Sequence, residues 1–327
     1  MSSIEKTLTK RVEDYFASLK IQPGTAILVG VSGGPDSVAL LSLLSGLQFY
    51  LFCGYVDHGM RPADERANDR SFLESFCSGL SVPFLSRSIP ERSIESKASK
   101  SGRSTEDVAR ELRYSLLEQM RREAKASCIA VGHNRDDQFE TMIMRFFMGS
   151  GPEGLKGIPK CRGNIIRPLL RVSRAEILAY LEEHGISYRT DSTNLESMYL
   201  RNKIRLTLIP EVRRIFPGYG RALESLSEKM ACIEDFLKHT TRLHGGWERT
   251  EDGFRIAQEK YLSLHPAERY ESLYQLFDNE GGNREIRIPY RFLRPAIFLR
   301  PAKGSAGLGK PAEEDYGSSS SECMQEI

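Results

Sequence analysis

Hydrophobic and polar positions along residues 26–184 alternate between the spacing of strands and the spacing of helices. Short apolar runs typical of buried strands occupy residues 26–31, 49–56, 83–89, 127–132 and 165–170. Between them, apolar residues recur at helical spacing, as at Leu73, Phe76, Cys77 and Leu80. The alternation predicts an α/β fold with a doubly wound, mostly parallel five-stranded sheet and helices on both faces.

A second region of the chain has a different pattern. From about residue 221, large apolar residues are spaced for one face of a long helix, and mixed helix and short strand patterns follow. The last residues are rich in Gly, Ser and Glu and have too few large apolar side chains to order themselves. We therefore predict an α/β domain at 1–215, a smaller, mostly helical C-terminal domain at 216–302, and a disordered tail at 303–327.

Composition narrows the class of protein. Hydrophobic residues make up 40% of the 327 residues and charged residues 28%, as in ordinary globular proteins, and the net charge is +2. No apolar run could cross a bilayer, and the polar N-terminus does not resemble a signal peptide. The six cysteines are scattered without a CxxC pair, which argues against a disulfide framework, a zinc ribbon and an iron–sulfur site. We expect a cytoplasmic protein without membrane contact.

The turn after the first predicted strand carries the clearest chemistry; its residues are Ser32, Gly33, Gly34, Pro35, Asp36 and Ser37. Two glycines let the backbone approach an anion, and the following helix offers unpaired N–H groups at its positive end. A carboxylate such as Asp36 tolerates phosphates only where a divalent cation bridges them. The turn therefore indicates a Mg-nucleotide site, although Ser, Gly, Pro and Asp are also common in plain β–α turns. It lacks the lysine of a GxxxxGK[ST] loop.

Polar residues also follow the second and fourth predicted strands and occupy one predicted helix. His58 and Arg61 lie in the segment VDHGMR, Arg113 lies in ARELRY, and His133 and Asp137 lie in GHNRDDQFET. In open α/β sheets, ligands bind beyond the carboxyl ends of the strands, so these segments are expected to meet there. Taken singly, each has an ordinary alternative as a helix cap, a hydrogen-bonding histidine or a solvated face.

In their order and spacing, these four segments resemble the motif set of tRNA(Ile)-lysidine synthetases, within the N-type ATP pyrophosphatase (PP-loop) superfamily. A loop at 149–159 and the segments RPLL (167–170), DSTN (191–194) and RNKIR (201–205) agree as well. The resemblance covers roughly residues 20–215 and implies that 1–215 is the N-type ATP pyrophosphatase catalytic domain and that 216–302 is a C-terminal tRNA-binding domain. Asn134 stands where many relatives have a second histidine, which leaves His133 to carry the catalytic weight.

The resemblance implies a two-step, ATP-dependent ligation. Such enzymes adenylate the wobble cytidine (position 34) of the CAU-anticodon tRNA(Ile) with release of pyrophosphate. The side-chain amine of free L-lysine then attacks C2, AMP leaves, and the base becomes lysidine. The first step needs stabilisation of phosphate charge by Mg²⁺ and cationic side chains, and the second needs a proton acceptor for the amine.

The resemblance also implies roles for individual residues. The turn from Ser32 to Ser37 would bind pyrophosphate, with His58 and Arg61 near the nucleotide. Arg113 and His133 would serve the adenylation centre together with Asp36 and Asp137. Asp36 would bind Mg²⁺, and Asp137 either binds Mg²⁺ or orients the lysine amine.

A basic run follows the α/β pattern at residues 199–214 and contains Arg201, Lys203 and Arg205. Such a run is often only a solvated face. Beside a base-modifying site we expect it to contact the tRNA backbone.

Other functions remain open at this point. A tRNA thiolase on the same core would need reactive cysteines or a cluster, and a metabolite-amidating synthetase is also compatible with the core. A non-catalytic adenine-nucleotide-binding module would need neither the basic run nor the His–Asp cluster. The sequence leaves open whether the protein is a monomer or a homodimer.

Overall fold

The computed structural model describes residues 3–189, 200–244, 246–251, 253–280 and 290–299. The chain forms two compact units, Met1–Ile233 and Glu234–Ile327. This division falls inside one helix, Tyr219–His244, and therefore differs from the sequence-based boundary at residue 215, which stays a prediction. The DSTN segment at 191–194 and the tail at 303–327 lie outside the described residues.

The first unit is built on a mostly parallel sheet, which confirms the predicted fold class. Its strands are β1 Ala26–Gly30, β2 Tyr50–Asp57, β3 Phe84–Ser88, β4 Cys128–Val131, β5 Cys161–Arg162 and β6 Ile165–Ile166. Their order across the sheet is β3-β2-β1-β4-β6-β5, and only β5 is antiparallel to its neighbour.

The sheet has six strands where the sequence predicts five. Strand β5 is missing from the prediction because two residues are too short to form an apolar run. The fifth predicted strand, 165–170, ends after Ile166. Pro168 explains the early end, because proline has no N–H to donate to a neighbouring strand.

Helices cover both faces of the sheet, as predicted. In the first unit they are α1 Ser3–Ser18, α2 Pro35–Ser45, α3 Ala63–Gly79, α4 Ser93–Ser101, α5 Thr105–Glu123, α6 Arg135–Phe147, α7 Pro152–Leu155, α8 Arg174–Glu183, α9 Leu200–Lys203, α10 Ile209–Ile215 and the start of α11 Tyr219–His244. One core cluster joins the sheet to α1, α2, α3 and α8, and a second joins it to α4 and α5. Alternate strand residues serve the two clusters: Ile27 and Val29 belong to the first, and Leu28 to the second.

The strand order opens a crevice at the carboxyl end of the sheet. β1 lies between β2 and β4, so the chain leaves β1 towards one side and leaves β4 towards the other. The two exits come very close together at Gly132. A Cβ atom on Gly132 would lie 3.0 Å from the backbone of Asp36 and Ser37, so only glycine fits without a shift.

The second unit is mostly helical, as predicted. It contains the later part of α11, a hairpin of β7 Glu248–Thr250 and β8 Gly253–Arg255, and helices α12 Gln258–Ser263, α13 Pro266–Glu280 and α14 Tyr290–Ile297. The buried Arg269 guanidinium donates hydrogen bonds to the carbonyls of Leu262, Leu264, Ile297 and Leu299 and thereby ties helix ends together. Within the described ranges, no helix combines the length and the apolar character needed to cross a membrane.

Candidate active site

The turn from Ser32 to Ser37 is braced by its own hydroxyl groups. Ser37 Oγ accepts a hydrogen bond from Ser32 N at 3.1 Å and donates one to Gly34 O at 3.0 Å. Gly33 has φ +87°, a left-handed conformation that side chains other than glycine rarely adopt. The turn therefore has one defined shape.

Helix α2 begins in this turn without a side-chain cap. Gly34 is the N-cap residue, and Pro35 occupies the first helical turn. Among the described residues, no side chain caps the backbone N–H groups of Asp36 and Ser37, which leaves them available to an anion at the positive end of the helix. The geometry fits the predicted phosphate site.

Asp36 has a carboxylate that is only partly satisfied. Its Oδ2 accepts a hydrogen bond from Arg174 Nη1 at 3.2 Å, whereas its buried Oδ1 has no hydrogen-bond partner among the described residues. Burial raises the pKa of Asp36, Arg174 and the Asn134 side chain act to lower it, and the nearby Asp137 carboxylate raises it further. A buried, unsatisfied oxygen beside a second carboxylate fits a divalent cation.

Asp137 is fixed by the first turn of α6. It forms a capping box with Asn134: Asn134 Oδ1 accepts from Asp137 N, and Asp137 Oδ2 accepts from Asn134 N. Its other oxygen accepts a hydrogen bond from Arg201 Nη2 at 2.8 Å. Burial raises the pKa of Asp137 despite the neighbouring Arg201. The described residues contain no group of three or more His, Cys, Asp or Glu side chains placed for a metal; Mg²⁺ needs only one or two carboxylates when phosphates complete its shell.

Glu140, one helical turn after Asp137, is the carboxylate that the sequence analysis did not select. It is 2% exposed and accepts hydrogen bonds from Arg201 Nε at 2.8 Å and from Arg205 Nε at 2.5 Å. Asp137, Glu140, Arg201 and Arg205 thus form a charge-balanced quartet. Burial acts to lower the pKa of Arg205, but its bonds to Glu140 outweigh burial and raise it. The sequence contains a signal for this pairing, because the two acids are three residues apart, the two arginines are four apart, and each pair therefore shares one face of a helix.

The quartet changes the picture of the basic run. Arg201 and Arg205 turn towards buried acids, and Lys203 is the exposed member of the three candidates. A π-helical turn at Ile204–Leu208 joins α9 to α10. It accommodates Pro210, which cannot donate to a carbonyl one turn earlier. Contact of Arg201, Lys203 and Arg205 with tRNA stays a prediction.

Two histidines lie among arginines at the ends of β2 and β4. Burial lowers the pKa of His133 to about 3, assisted by Arg167, Arg110, Arg201 and Arg113. Burial and Arg113 likewise lower the pKa of His58 to about 4. Both rings are neutral at pH 7, and the buried Nδ1 atom of each has no hydrogen-bond partner in the described parts of the chain.

The arginines near these histidines form a cluster of their own. In the described part of the chain, Arg110, Arg113 and Arg167 have no carboxylate within ion-pair distance, and burial lowers the pKa of Arg113 and of Arg167. Arg110 and Arg113 both lie against the Tyr114 ring, at 5.3 and 5.5 Å from its centroid. The sequence analysis selected only Arg113. Arg110 is exposed, whereas Arg167 is buried and donates a hydrogen bond to the Pro159 carbonyl at 2.7 Å. Guanidinium groups without a carboxylate partner make this cluster a site for an anion.

Comparison with known proteins identifies the family. The model of the PP-loop domain family matches residues 3–212. The tRNA(Ile)-lysidine synthase of Chlorobaculum tepidum is 36% identical over 286 residues, which cover 85% of each chain. The chain belongs to the tRNA(Ile)-lysidine synthase family. The tRNA(Ile)-lysidine synthase of Treponema denticola is 37% identical over 85% of this chain but 61% of its own length, and that of Clostridioides difficile is 40% identical over 76% and 54%.

The comparisons differ in how much of each protein they cover and in their sequence identity. The chain spans little more than half the length of several curated tRNA(Ile)-lysidine synthases that it matches. Among solved structures, a U34-tRNA thiolase from Methanococcus maripaludis with its [4Fe-4S] cluster has a TM-score of 0.57 and 18% identity, covering 69% of this chain and 79% of its own. At that identity the likeness shows a shared fold.

Within this family framework, the structure brings most of the predicted residues together. Asp36 and Asp137 interact, and Arg113 acts on both His58 and His133. Arg61 also lies near His58, but its guanidinium is paired with Asp69 on α3. Arg174 contacts Asp36 and was absent from the prediction, because it lies 138 residues away in sequence.

Proposed function

We propose that this chain ligates L-lysine to C2 of cytidine 34 in the CAU-anticodon tRNA(Ile), through an adenylated tRNA and with release of pyrophosphate and AMP. The observation that carries the proposal is the unsatisfied Oδ1 of Asp36 at the uncapped start of α2. It supports binding of a metal-chelated triphosphate at the turn from Ser32 to Ser37. ATP is then a substrate, and Mg²⁺ the cation held by Asp36 and Asp137.

In the proposed first step, O2 of the cytidine attacks the α-phosphorus and pyrophosphate leaves. Negative charge grows on the phosphate oxygens and on the leaving group. Asp36 and Asp137 would hold Mg²⁺, which would supply Lewis-acid stabilisation for part of this charge. We assign stabilisation of the rest to the guanidinium groups of Arg110, Arg113 and Arg167, which form no ion pair among the described residues.

In the proposed second step, the lysine amine attacks C2, AMP leaves, and the amine must lose a proton. Burial lowers the pKa of His133 to about 3, which makes its ring a weak proton acceptor. We therefore assign His133 a hydrogen-bonding role in its neutral form.

The test is incubation with ATP, Mg²⁺, labelled lysine and CAU-anticodon tRNA. Ligation puts the lysine label into RNA, whereas a thiolase, a small-molecule synthetase or a nucleotide-binding module does not. Asp36→Asn should abolish incorporation without unfolding the chain, and Asp64→Asn, an exposed acid in the first turn of α3, should leave it unchanged. Failure of the wild-type chain to label RNA, with folding and ATP binding intact, would refute the ligase proposal.

For the tRNA contact, the exposed Lys203 gives the clearest test. We expect Lys203→Glu to weaken tRNA binding and to reduce its dependence on salt by about one counterion. Lys97→Glu, at an exposed position on α4, is the matched control. Equal salt slopes for the two variants would remove Lys203 from the interface.

A further inference from the structure

We propose that the guanidinium group of Arg189 binds the outer phosphates of ATP and replaces the lysine that this turn lacks. This inference rests on the proposed function, because it assigns one more residue to the same nucleotide site. It identifies a phosphate ligand outside the four motifs that indicated the site.

The backbone of Arg189 is attached to the phosphate turn. After α8 the chain returns to the carboxyl end of the sheet, where Arg189 N donates a hydrogen bond to Gly33 O at 2.9 Å. The side chain then runs beside the same glycine: a Cβ atom on Gly33 would lie 3.6 Å from Arg189 Cγ. Main chain and side-chain stem together place Arg189 at the turn.

The guanidinium group is held loosely. It lies 5.2 Å from the centroid of the Phe72 ring and donates a hydrogen bond to the Asn68 carbonyl at 3.3 Å. Its Nε is 3.8 Å from Asp69 Oδ1, and the side chain is 47% exposed. Weak, partly solvated contacts of this kind cost little to exchange for a charge-assisted bond to phosphate.

Two arginines share the Asp69 carboxylate. Arg61 Nη2 pairs with Asp69 Oδ2, and Arg189 approaches Oδ1 of the same buried carboxylate. Asp69 therefore neutralises one of the two arginines. Arg61 has the closer contact, so Arg189 is the one free to meet a ligand. Its positive charge lies beside a phosphate turn that contains no cationic side chain of its own.

The experiment measures the affinities of the full chain for Mg-ATP, Mg-pyrophosphate and AMP by calorimetry. Arg189→Met keeps most of the stem and removes the charge, and Arg189→Lys restores a charge. Arg70→Met is the matched control, since Arg70 is a 56%-exposed arginine on α3 that pairs with Glu74. We expect Arg189→Met to weaken Mg-ATP and Mg-pyrophosphate binding by about tenfold or more. AMP binding should stay unchanged, and Arg189→Lys should recover part of the loss.

Three other outcomes would overturn the inference. Equal loss of ATP and AMP affinity in Arg189→Met would mean that Arg189 only shapes the turn, which overturns the inference. So would unchanged Mg-ATP affinity in a variant whose melting temperature matches the wild type. Both results leave the proposed function standing. Absence of Mg-ATP binding by the wild-type chain would overturn the inference and the proposed function together.

Discussion

Replacing Glu140 by glutamine tests whether the buried charge quartet is one unit. The substitution keeps the shape of the side chain and removes one negative charge. Asp137 then remains as the only carboxylate of the quartet to balance Arg201 and Arg205. Glu140 is 2% exposed, so water cannot make up for the missing charge.

The structure sets the size of the expected effect. Glu140 accepts from Arg201 Nε, from Arg205 Nε and, at 3.0 Å, from Arg205 Nη2. Removing one partner of a buried ion pair costs about 3–5 kcal/mol. We expect a value near the lower limit, about 3 kcal/mol, because glutamine keeps one acceptor oxygen. That energy corresponds to a change of about 100-fold in an opening equilibrium.

The assay is hydrogen–deuterium exchange of peptides that cover α6 and the segment from Leu200 to Leu208. Exchange there should become about 100-fold faster in Glu140→Gln. Glu123→Gln is the control, because Glu123 also receives two hydrogen bonds from one arginine, Arg87, but is 49% exposed. An exposed pair contributes about 1 kcal/mol or less. If both variants changed local exchange equally, burial would not be what makes the quartet important.

Three further predictions concern His133, Gly132 and Arg269. Burial holds the pKa of His133 near 3 in the folded state, against 6.5 ordinarily, so the free energy of unfolding should fall as pH falls below 6.5. In His133→Asn, the slope of that free energy against pH between about 6 and 4, measured by urea titration, should be smaller by about 1.4 kcal/mol per pH unit. Gly132→Ala should cost more free energy in ATP binding than in stability, because the new Cβ atom meets the backbone at the start of α2. ATP affinity and the melting temperature measure the two effects. Arg269→Met leaves four carbonyls without their donor, so the free energy of unfolding of this unit should fall by about 3 kcal/mol or more. The fluorescence of Trp247, which packs on Tyr261 in the same unit, reports this unfolding.

The local parts of the fold and of the site could be predicted from sequence. The apolar runs located β1 to β4 because a buried parallel strand is a short apolar segment. The start of α8 is local in the same sense, because both hydrogen bonds of the Ser173–Glu176 capping box lie within four residues. Strand β5 was missed, because its two residues are held by pairing with β6 and have no pattern of their own.

By itself, the sequence determined the strand–helix alternation, the phosphate turn after β1 and the residue types that follow β2 and β4. These features depend on periodicity and turn chemistry within a few residues. Only the tertiary structure decided that Glu140 pairs with an arginine 61 residues later, that Asp36 keeps one oxygen without a described partner, and that His133 is neutral. Ion pairing and burial depend on which distant segments meet, and periodicity along the chain carries no information about such meetings.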